Sequence, residues 1–258
     1  MLKNQRHIQI LDILKNEGFA GVRDLSERLY SSQPTIRRDL DFLEKQGYIR
    51  RSHGGAILAD DKLGAPVSFR RGTRYHEKTR ICKLAATLVK AGEVIFIDSS
   101  TTAWPLADFL REEDNVTVVT NSYPICLSLA ERNVRTFSTG GRLYKESMAF
   151  GGERAAETVS GFNADIMFFS ASSLDNQGMI SDCFEEETTI RKTMRANSRQ
   201  NVFLCDADKF GSRAAFRDIS LSDVDYVVTD APLDDFIIEK CALKLIATDD
   251  GALMYKKI

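Results

Sequence analysis

Short apolar segments alternate with amphipathic stretches after residue 90, and this alternation constrains the fold more than any other feature of the sequence. The clearest segments have the composition of strands and lie at residues 94–97, 116–119, 166–169, 202–204 and 226–228. Strands that are separated by helices are joined by crossover connections, which place them side by side and parallel in one sheet. The sequence therefore predicts an α/β domain with a mainly parallel sheet.

The first 58 residues have a different pattern, because their apolar side chains recur at helical spacing in three short runs. These runs are Ile8, Leu11 and Leu14, then Val22, Leu25 and Leu29, then Ile36, Leu40 and Leu43. Ser32 can cap the third helix, and Pro34 falls within its first turn. Residues 48–58 have the composition of two short strands around a polar, glycine-containing turn. Three helices and a hairpin predict a winged helix-turn-helix.

The segment between these two regions, residues 59–76, has no sustained period and contains glycine, proline and charged residues. Such a composition is typical of a linker. The predicted organisation is therefore a winged helix-turn-helix domain at 1–58, a linker at 59–76 and an α/β domain at 77–258. A chain of 258 residues with 43% hydrophobic content can form a core in both domains.

The net charge of −2 conceals an asymmetry along the chain. Residues 1–80 contain 16 Lys and Arg against 10 Asp and Glu, a net charge of +6, so the remainder carries −8. Only the first part suits a polyanion such as DNA. The excess is mild, and an ordinary solvated surface would also explain it.

The five cysteines are scattered, without a Cys-x-x-Cys pair and without clustered histidines. Reduced, buried thiols are therefore expected, and neither a metal site nor a cofactor is predicted. No apolar run approaches the roughly 20 residues that span a bilayer, and the first residues lack the apolar core of a signal peptide. We expect a cytoplasmic protein without a membrane partner.

The start of the third predicted helix presents polar side chains opposite its apolar face. Residues near the N-terminus of a helix in the major groove reach base edges, whereas basic groups and backbone N–H groups meet phosphates. Gln33 and Arg37 are the candidates for base contacts. The candidates for phosphate contacts are Thr35, Arg38, Arg50 and Arg51. The alternative is a solvated helix face on which Arg38 pairs with Asp39 or Asp41.

Four polar loops follow predicted strands in the α/β region. Carboxyl ends of parallel strands form the ligand crevice of an open sheet, and hydroxyl and N–H groups at a helix start bind anions. The loops could therefore line one pocket, in which Lys209 would lie opposite a phosphate. The residues assigned to it are Asp98, Ser99, Ser100, Thr101, Thr102, Asn121, Ser122, Gly140, Gly141, Asp206 and Lys209. Each loop alone would also suit an ordinary helix cap.

The first domain closely resembles the DNA-binding domain of the DeoR family of bacterial transcriptional regulators. The matching segments begin at Arg6, at Thr35 and at His53, and read Arg-His-Ile-Gln-Ile-Leu, Thr-Ile-Arg-Arg-Asp-Leu and His-Gly-Gly-Ala. The resemblance implies binding to double-stranded operator DNA, usually as the repressor of a sugar-utilisation operon. It implies a helix-turn-helix over 20–39 that includes Ser32, and a wing that includes His53 and Gly54.

The order of the four loops also resembles the effector domain of DeoR-family proteins, which is itself similar to ribose-5-phosphate isomerase. The resemblance implies an α/β effector domain that binds a phosphorylated sugar. Glu187 and the residues after it match a family helix of the form Glu-x-x-x-Lys-Arg-x-Met, so its carboxylate could contact a sugar hydroxyl or lie on the surface. The chain departs from the family at Ser100, Ser170 and Ser173, where glycine is common and where serine restricts the backbone but adds a hydroxyl.

We hypothesise that a homodimer or homotetramer presents paired winged helices to operator half-sites and that the effector shifts their spacing. A sugar-phosphate isomerase with a DNA-binding appendage is an alternative, because Asp98, Glu187, Asp206, Asp208 and Lys209 could supply acid-base chemistry. The sequence has no separate catalytic motif, and fold similarity alone does not confer activity. An architectural protein that compacts DNA is disfavoured by the acidic second domain.

Overall fold

The computed structural model describes residues 3–45, 48–52, 54–58, 67–145 and 147–258. The chain divides into two compact units, 1–73 and 74–258. Within the described ranges, no helix is both long enough and apolar enough to span a membrane.

The first unit contains three helices and a small antiparallel sheet, as the sequence predicts. The helices are α1 (Lys3–Glu17), α2 (Val22–Arg28) and α3 (Gln33–Lys45), and the strands are β1 (Phe19–Gly21), β2 (Ile49–Ser52) and β3 (Gly55–Leu58). The sheet order is β1-β3-β2, so β1 adds a third strand that the sequence did not predict. Eight of the nine predicted apolar positions are buried, and Ile8 is half-buried.

Part of the predicted linker is helical rather than irregular. Residues Val67–Gly72 form helix α4, and the next helix begins at Tyr75, whereas residues 59–66 lie outside the described residues. Val67 is buried, and a Cβ atom at Gly72 would lie only 2.7 Å from Cδ1 of Ile8. Helix α4 therefore packs against α1 at Ile8.

The second unit alternates strands and helices. Its helices are α5 (Tyr75–Ala86), α6 (Tyr123–Ala130), α7 (Glu153–Ser160), α8 (Glu185–Ala196) and α9 (Asp235–Lys240). Its strands are β4 (Val94–Ile97), β5 (Thr117–Thr120), β6 (Arg135–Ser138), β7 (Arg142–Tyr144), β8 (Ala149–Gly151), β9 (Ala164–Phe169), β10 (Ser173–Leu174), β11 (Met179–Asp182), β12 (Ser198–Cys205), β13 (Phe216–Ser220), β14 (Tyr226–Thr229), β15 (Leu243–Asp249) and β16 (Ala252–Lys257).

Eight of these strands form one sheet in the order β15-β16-β14-β12-β9-β4-β5-β6. The six strands from β14 to β6 are parallel, and β16 and β15 continue the sheet antiparallel at one edge. All five predicted strands are therefore confirmed, and they are neighbours. Side chains alternate between two buried apolar clusters, since Ile95 and Ile97 belong to one and Phe96 to the other. The α/β fold with a mainly parallel sheet is confirmed.

Two smaller sheets lie outside the main one and were not predicted. Strands β7 and β8 form a hairpin, and β10, β11 and β13 form a three-stranded sheet. Both follow the carboxyl ends of main-sheet strands in the chain. They supply side chains to the candidate site of the second unit.

Candidate functional site

The N-terminal end of α3 presents the predicted row of polar side chains. Gln33, Arg37 and Arg38 are exposed, whereas Ile36 and Leu40 on the opposite face are fully buried. Ser32 caps the helix, because its Oγ accepts a hydrogen bond of 3.4 Å from the backbone N–H of Thr35. The two hydroxyls also lie 2.9 Å apart.

Asp39 holds this helix against α1. Its carboxylate accepts hydrogen bonds from Nε of Arg6 at 2.5 Å and Nη2 of Arg6 at 3.2 Å, and Nε2 of His7 lies 2.9 Å from it. Burial alone would raise the pKa of Asp39, but the hydrogen bonds from Arg6 and His7 lower that pKa below its ordinary value. Asp39 is therefore not the partner of Arg38.

The wing contributes Arg50 and Arg51 on β2. Arg50 is exposed, whereas Nη1 of Arg51 lies 2.8 Å from Oδ1 of Asp41 on α3. The alternative pairing of Arg38 with Asp39 or Asp41 is thus wrong in the described part of the chain, because other cations hold both carboxylates. Gly54 is exposed in the turn with φ +76°, and His53 lies outside the described residues.

In the second unit, Lys209 lies where the loops after β4, β9 and β12 meet. Its Nζ donates to Oγ1 of Thr102 at 2.7 Å and to Oγ of Ser170 at 2.8 Å, and it lies 3.2 Å from Oδ2 of Asp206. Thr102 also donates to Asp206 at 3.2 Å. The structure therefore brings together the predicted loops at 98–102 and 206–209.

A second ammonium group, which the sequence analysis missed, lies close to the first. Lys78 on α5 is only 4% exposed, and its Nζ donates to Oγ1 of Thr101 at 3.2 Å. Burial would raise the pKa of Asp206, yet Lys209 and Lys78 hold it below its usual range. A buried and a half-buried ammonium group, on Lys78 and Lys209, beside two threonine hydroxyls form a site whose charge and donors suit an anion.

Asp98 is hydrogen-bonded inside the protein, and its assignment as a ligand contact stays a prediction. One carboxylate oxygen accepts the N–H of Ser100 at 3.0 Å, and the other accepts the N–H of Ser170 and Nε of Arg191, each at 3.2 Å. Burial raises the pKa of Asp98 above its usual range although Arg191 opposes the shift. Asp98 therefore joins the loop after β4 to the loop after β9 and to Arg191.

Arg191 joins α8 to this loop. Besides Asp98 it donates to Oδ2 of Asp182 and to Oδ2 of Asp218, both at 2.8 Å, and its side chain is 2% exposed. Arg191 follows Glu187 by four residues, so the two share one face of α8. The buried ion pairs therefore fix the rotation of α8 and direct Glu187 inward, where it is 8% exposed.

The three serines at positions where the DeoR resemblance leads one to expect glycine all use their hydroxyls. Oγ of Ser100 accepts the N–H of Ala103 at 3.2 Å, and Oγ of Ser173 lies 2.9 Å from Oγ of Ser181. Ser170 is the one that contacts Lys209. These hydroxyls fill hydrogen-bonding positions inside the site.

A cavity of about 180 Å³ lies beside the anion site, between the β7-β8 hairpin and the start of α8. Its lining residues are Asn121, Tyr144, Ser147, Ala149, Phe150, Gly151, Phe184, Glu186 and Glu187. Of the predicted effector residues, Asn121 and Glu187 thus line this cavity, whereas Lys209 does not. The sequence predicted that all four loops could line one pocket, but only the loop at 120–122 contributes a residue, Asn121, to this cavity.

Asn121 links the cavity to the anion site. Its Nδ2 donates to the backbone oxygen of Phe150 at 3.2 Å and to Oγ of Ser99 at 3.4 Å. Its Oδ1 is buried and has no hydrogen-bond partner among the described residues. A buried acceptor without a partner is costly, so a donor from a ligand would satisfy it.

Ser122, Gly140 and Gly141 do not line the cavity, but Ser122 and Gly141 make contacts next to it. Oγ of Ser122 caps α6 by accepting the N–H of Ile125 at 3.4 Å. Gly141 has φ +92°, and a Cβ there would lie 2.6 Å from the backbone oxygen of Gly151. Only glycine allows the hairpin to approach this loop so closely.

The chain matches two family models in consecutive segments. Residues 6–62 match the DeoR-like helix-turn-helix domain, and residues 73–231 match the DeoR C terminal sensor domain. The chain belongs to the DeoR family. It is therefore a DNA-binding transcriptional regulator with a sensor domain, and the isomerase alternative is not supported, because its relatives are regulators.

Individual relatives cover nearly the whole chain. The glycerol-3-phosphate regulon repressor of Escherichia coli (strain K12) is 33% identical over 90% of this chain and 92% of its own length. The uncharacterized HTH-type transcriptional regulator YgbI of the same organism is 33% identical over 99% of both chains. The L-fucose operon activator of Escherichia coli is 30% identical over 89% of this chain and 96% of its own length.

Among solved structures, ribose 5-phosphate isomerase A from Methanocaldococcus jannaschii is 17% identical, with a TM-score of 0.41, over 71% of this chain and 80% of its own.

Several site residues of this DeoR-family protein were not predicted, because the sequence gives little local signal for them. Lys78 follows the predicted linker on an ordinary amphipathic helix, and nothing local distinguishes it from a surface lysine. Tyr144, Phe150 and Phe184 lie on short elements with no clear period. Their shared position becomes visible only once the sheet order is known.

Proposed function

We propose that this DeoR-family regulator binds operator DNA through α3 and the wing and represses a carbohydrate-utilisation operon, with a phosphorylated sugar as effector. The effector part rests on the pair of ammonium groups of Lys78 and Lys209, which lie beside Thr101 and Thr102. The glycerol-3-phosphate regulon repressor and the putative aga operon transcriptional repressor of Escherichia coli O157:H7 support repression. The L-fucose operon activator supports the competing possibility, which is that this regulator activates transcription.

In this proposal the phosphate occupies the anion site and the sugar extends into the cavity. Ser99 in the first loop and Asn121 at the cavity are in contact, so one ligand can reach both. The acceptors Oδ1 of Asn121 and the carboxylate of Glu187 would receive sugar hydroxyls, and Tyr144 would cover an apolar sugar face. The cavity lining contains no basic side chain, so it would hold the sugar and not the phosphate.

On the DNA side, Gln33 and Arg37 would contact base edges from the N-terminal end of α3. Ser32, Thr35, Arg38, Arg50 and the backbone at Gly54 would contact phosphates, with His53 beside them in the wing. Arg51 would join them only by exchanging its partner Asp41 for a phosphate.

Operator half-sites arranged about a two-fold axis would be contacted by a homodimer or homotetramer. A protein that acts on bacterial operator DNA would reside in the cytoplasm. Size measurement by light scattering, with and without operator DNA, tests the oligomeric state.

The effector part is tested with the DNA upstream of the gene for this protein, labelled for fluorescence anisotropy, and a panel of sugar phosphates. One sugar phosphate is expected to change the affinity of the wild-type protein for this DNA. Lys209→Ala is expected to bind the DNA normally and to lose that response. Lys244→Ala, an exposed lysine on β15, is the matched control and should respond like wild type. A retained response in Lys209→Ala contradicts the assignment.

The DNA part is tested with Arg37→Ala on the same DNA. The loss of a bidentate base contact is expected to cost about 1 to 3 kcal/mol of binding free energy. Arg154→Ala on α7, an exposed arginine of the other unit, should leave the affinity unchanged. Wild-type affinity in Arg37→Ala would show that this side chain does not contact bases.

A further inference from the structure

One face of α5 contacts both loops of the anion site. Arg74 precedes the helix as its N-cap residue, and Arg74, Lys78 and Cys82 follow one another at intervals of four, so they lie along one face. Lys78 donates to Thr101, and Sγ of Cys82 donates to the backbone oxygen of Thr102 at 3.0 Å. Arg74 reaches the other loop, which carries Lys209.

Arg74 holds that loop through two carboxylates. Its Nη1 donates to Oδ1 of Asp208 at 3.2 Å, and its Nη2 donates to Asp230, whose side chain is 2% exposed. The other oxygen of Asp230 accepts the N–H of Ala207 at 2.8 Å. Arg74 therefore contacts the short turn Ala207–Lys209 in two ways, directly at Asp208 and indirectly through Asp230. This turn ends at Lys209, which is proposed to bind the phosphate.

The backbone at Arg74 indicates that its side chain is needed there. Its φ of +53° lies in the left-handed region, which glycine adopts freely and which is unfavourable for residues with a side chain. The ion pairs of the guanidinium with Asp208 and Asp230 offset this unfavourable backbone conformation. A residue kept in an unfavourable conformation by its contacts is a candidate for a positioning role.

Arg74 is also the first residue of the second unit, because the division of the chain falls between Thr73 and Arg74. The polypeptide that leaves the DNA-binding unit therefore enters the sensor unit at a residue bonded to the Lys209 turn. Movement of that turn acts on the entry point through two ion pairs and one hydrogen bond. These contacts are sufficient to link the Lys209 turn to the junction between the units.

We propose that Arg74 is a positioning residue that conveys occupancy of the anion site to the junction between the two units. The inference rests on the proposed function, since it requires an anion at Lys78 and Lys209. An anion there competes with Asp206 for Lys209, so the turn Ala207–Lys209 adopts a different arrangement when the site is filled. Asp208 lies in this turn, and its pairing with Arg74 changes with it.

Such coupling exists only if the anion binds the two arrangements with different affinity. The arrangement without the anion is favoured by the 3.2 Å ion pair between Lys209 and Asp206. The arrangement with the anion replaces this carboxylate by a phosphate oxygen as the partner of Lys209. The two sets of contacts exclude each other at Lys209, which provides the difference in affinity.

The test compares Arg74→Gly with the wild-type full-length protein, using inorganic phosphate as the probe. Glycine takes the left-handed backbone conformation without cost, so the substitution removes the guanidinium and relieves the backbone. Lys83→Ala is the matched control, since Lys83 is an exposed residue of α5 whose partner, Asp249, lies outside both loops. Backbone hydrogen exchange by mass spectrometry, read separately at residues 67–73, which lead into Arg74 from the first unit, and at residues 206–209, reports the two ends of the proposed link.

In the wild type and in Lys83→Ala, saturating phosphate is expected to change exchange several-fold at both segments. In Arg74→Gly the change at 206–209 should remain, with a phosphate dissociation constant within about twofold of wild type, and the change at 67–73 should be lost. A retained response at 67–73 in Arg74→Gly, or none there in the wild type, overturns the coupling. Absence of a response at 206–209 in the wild type overturns the anion site itself, and with it the coupling.

Discussion

Nζ of Lys209 lies 2.8 Å from Oγ of Ser170, and the same hydroxyl donates to the backbone oxygen of Leu204 at 2.5 Å. One serine hydroxyl therefore joins Lys209, which is proposed to bind the phosphate, to the carboxyl end of strand β12. Glycine at this position could not form either bond. The serine thus changes the environment of the lysine and does not merely narrow the site.

Ser170→Ala removes both hydrogen bonds of this hydroxyl from a fully buried position. The free energy of unfolding is expected to fall by about 1 to 3 kcal/mol, because the carbonyl of Leu204 loses its donor and an ammonium loses a partner. Urea unfolding of the full chain measures the change. Ser160→Ala, which removes an exposed hydroxyl of α7 that bonds to its own helix, should change stability far less. Equal effects of the two substitutions would contradict the role of Ser170.

The pH dependence of stability is expected to change when Lys209 is replaced. The folded pKa of Asp206 is lowered, so its ionised form stabilises the protein above the ordinary carboxyl pKa and this stability is lost as pH falls through the folded value. In Lys209→Met the buried carboxylate loses its nearest cation, so its pKa rises. The stability difference from wild type should be largest near neutral pH and shrink as the pH falls towards about 4.

Urea unfolding at a series of pH values measures this difference. Lys209→Arg keeps the positive charge and should show a smaller difference with little pH dependence. A stability difference between wild type and Lys209→Met that is independent of pH would show that Asp206 is not stabilised by Lys209.

The ion pair between Arg51 and Asp41 is expected to weaken binding to DNA. Asp41→Asn removes the charge that neutralises Arg51 in the free protein, so Arg51 becomes available to a phosphate. Affinity for unrelated duplex DNA should rise, and the slope of log affinity against log salt should steepen by about 1. Fluorescence anisotropy at several salt concentrations measures both quantities.

Glu27→Gln provides the control for this substitution. It removes the carboxylate from an exposed ion pair with Arg23 on α2. The net charge changes by the same amount as in Asp41→Asn. A rise in affinity of the same size in Glu27→Gln would mean that net charge alone, and not the release of Arg51, explains the result.

The main sheet and the three helices were predictable because local patterns encode them. A run such as 166–169 is apolar on both faces, as expected for a parallel strand covered on both sides, and it lies in the middle of the sheet. Strand β1 was not predictable, because Phe19–Gly21 is short and becomes a strand only by pairing with β3. The helix at 67–72 likewise packs against Ile8, which is distant in sequence.

The candidate site was predictable in part for the same reason. Strand-end loops can be located from strand predictions, so Thr102 and Lys209 were correctly expected to lie together. The role of Asp98 was not accessible, because its partner Arg191 lies 93 residues away. Chemistry that depends on long-range pairing, such as the Lys78 contact with Thr101, requires the folded structure.

Asp39 is expected to be the most sensitive position of the DNA-binding unit although it contacts no DNA in the proposal. Its side chain is 3% exposed and bonds to Arg6 and His7 on α1. Asp39→Ala leaves Arg6 without its carboxylate in a nearly buried position, and removing one partner of a buried pair costs about 3 to 5 kcal/mol. Circular dichroism should show a lower melting temperature for the first unit of Asp39→Ala than for that of the wild type. On warming, the variant should also lose its affinity for operator DNA at a lower temperature than the wild type does. Asp41→Ala, the exposed acid two residues away, should preserve the melting temperature, and a similar loss there would assign the effect to charge and not to the buried pair.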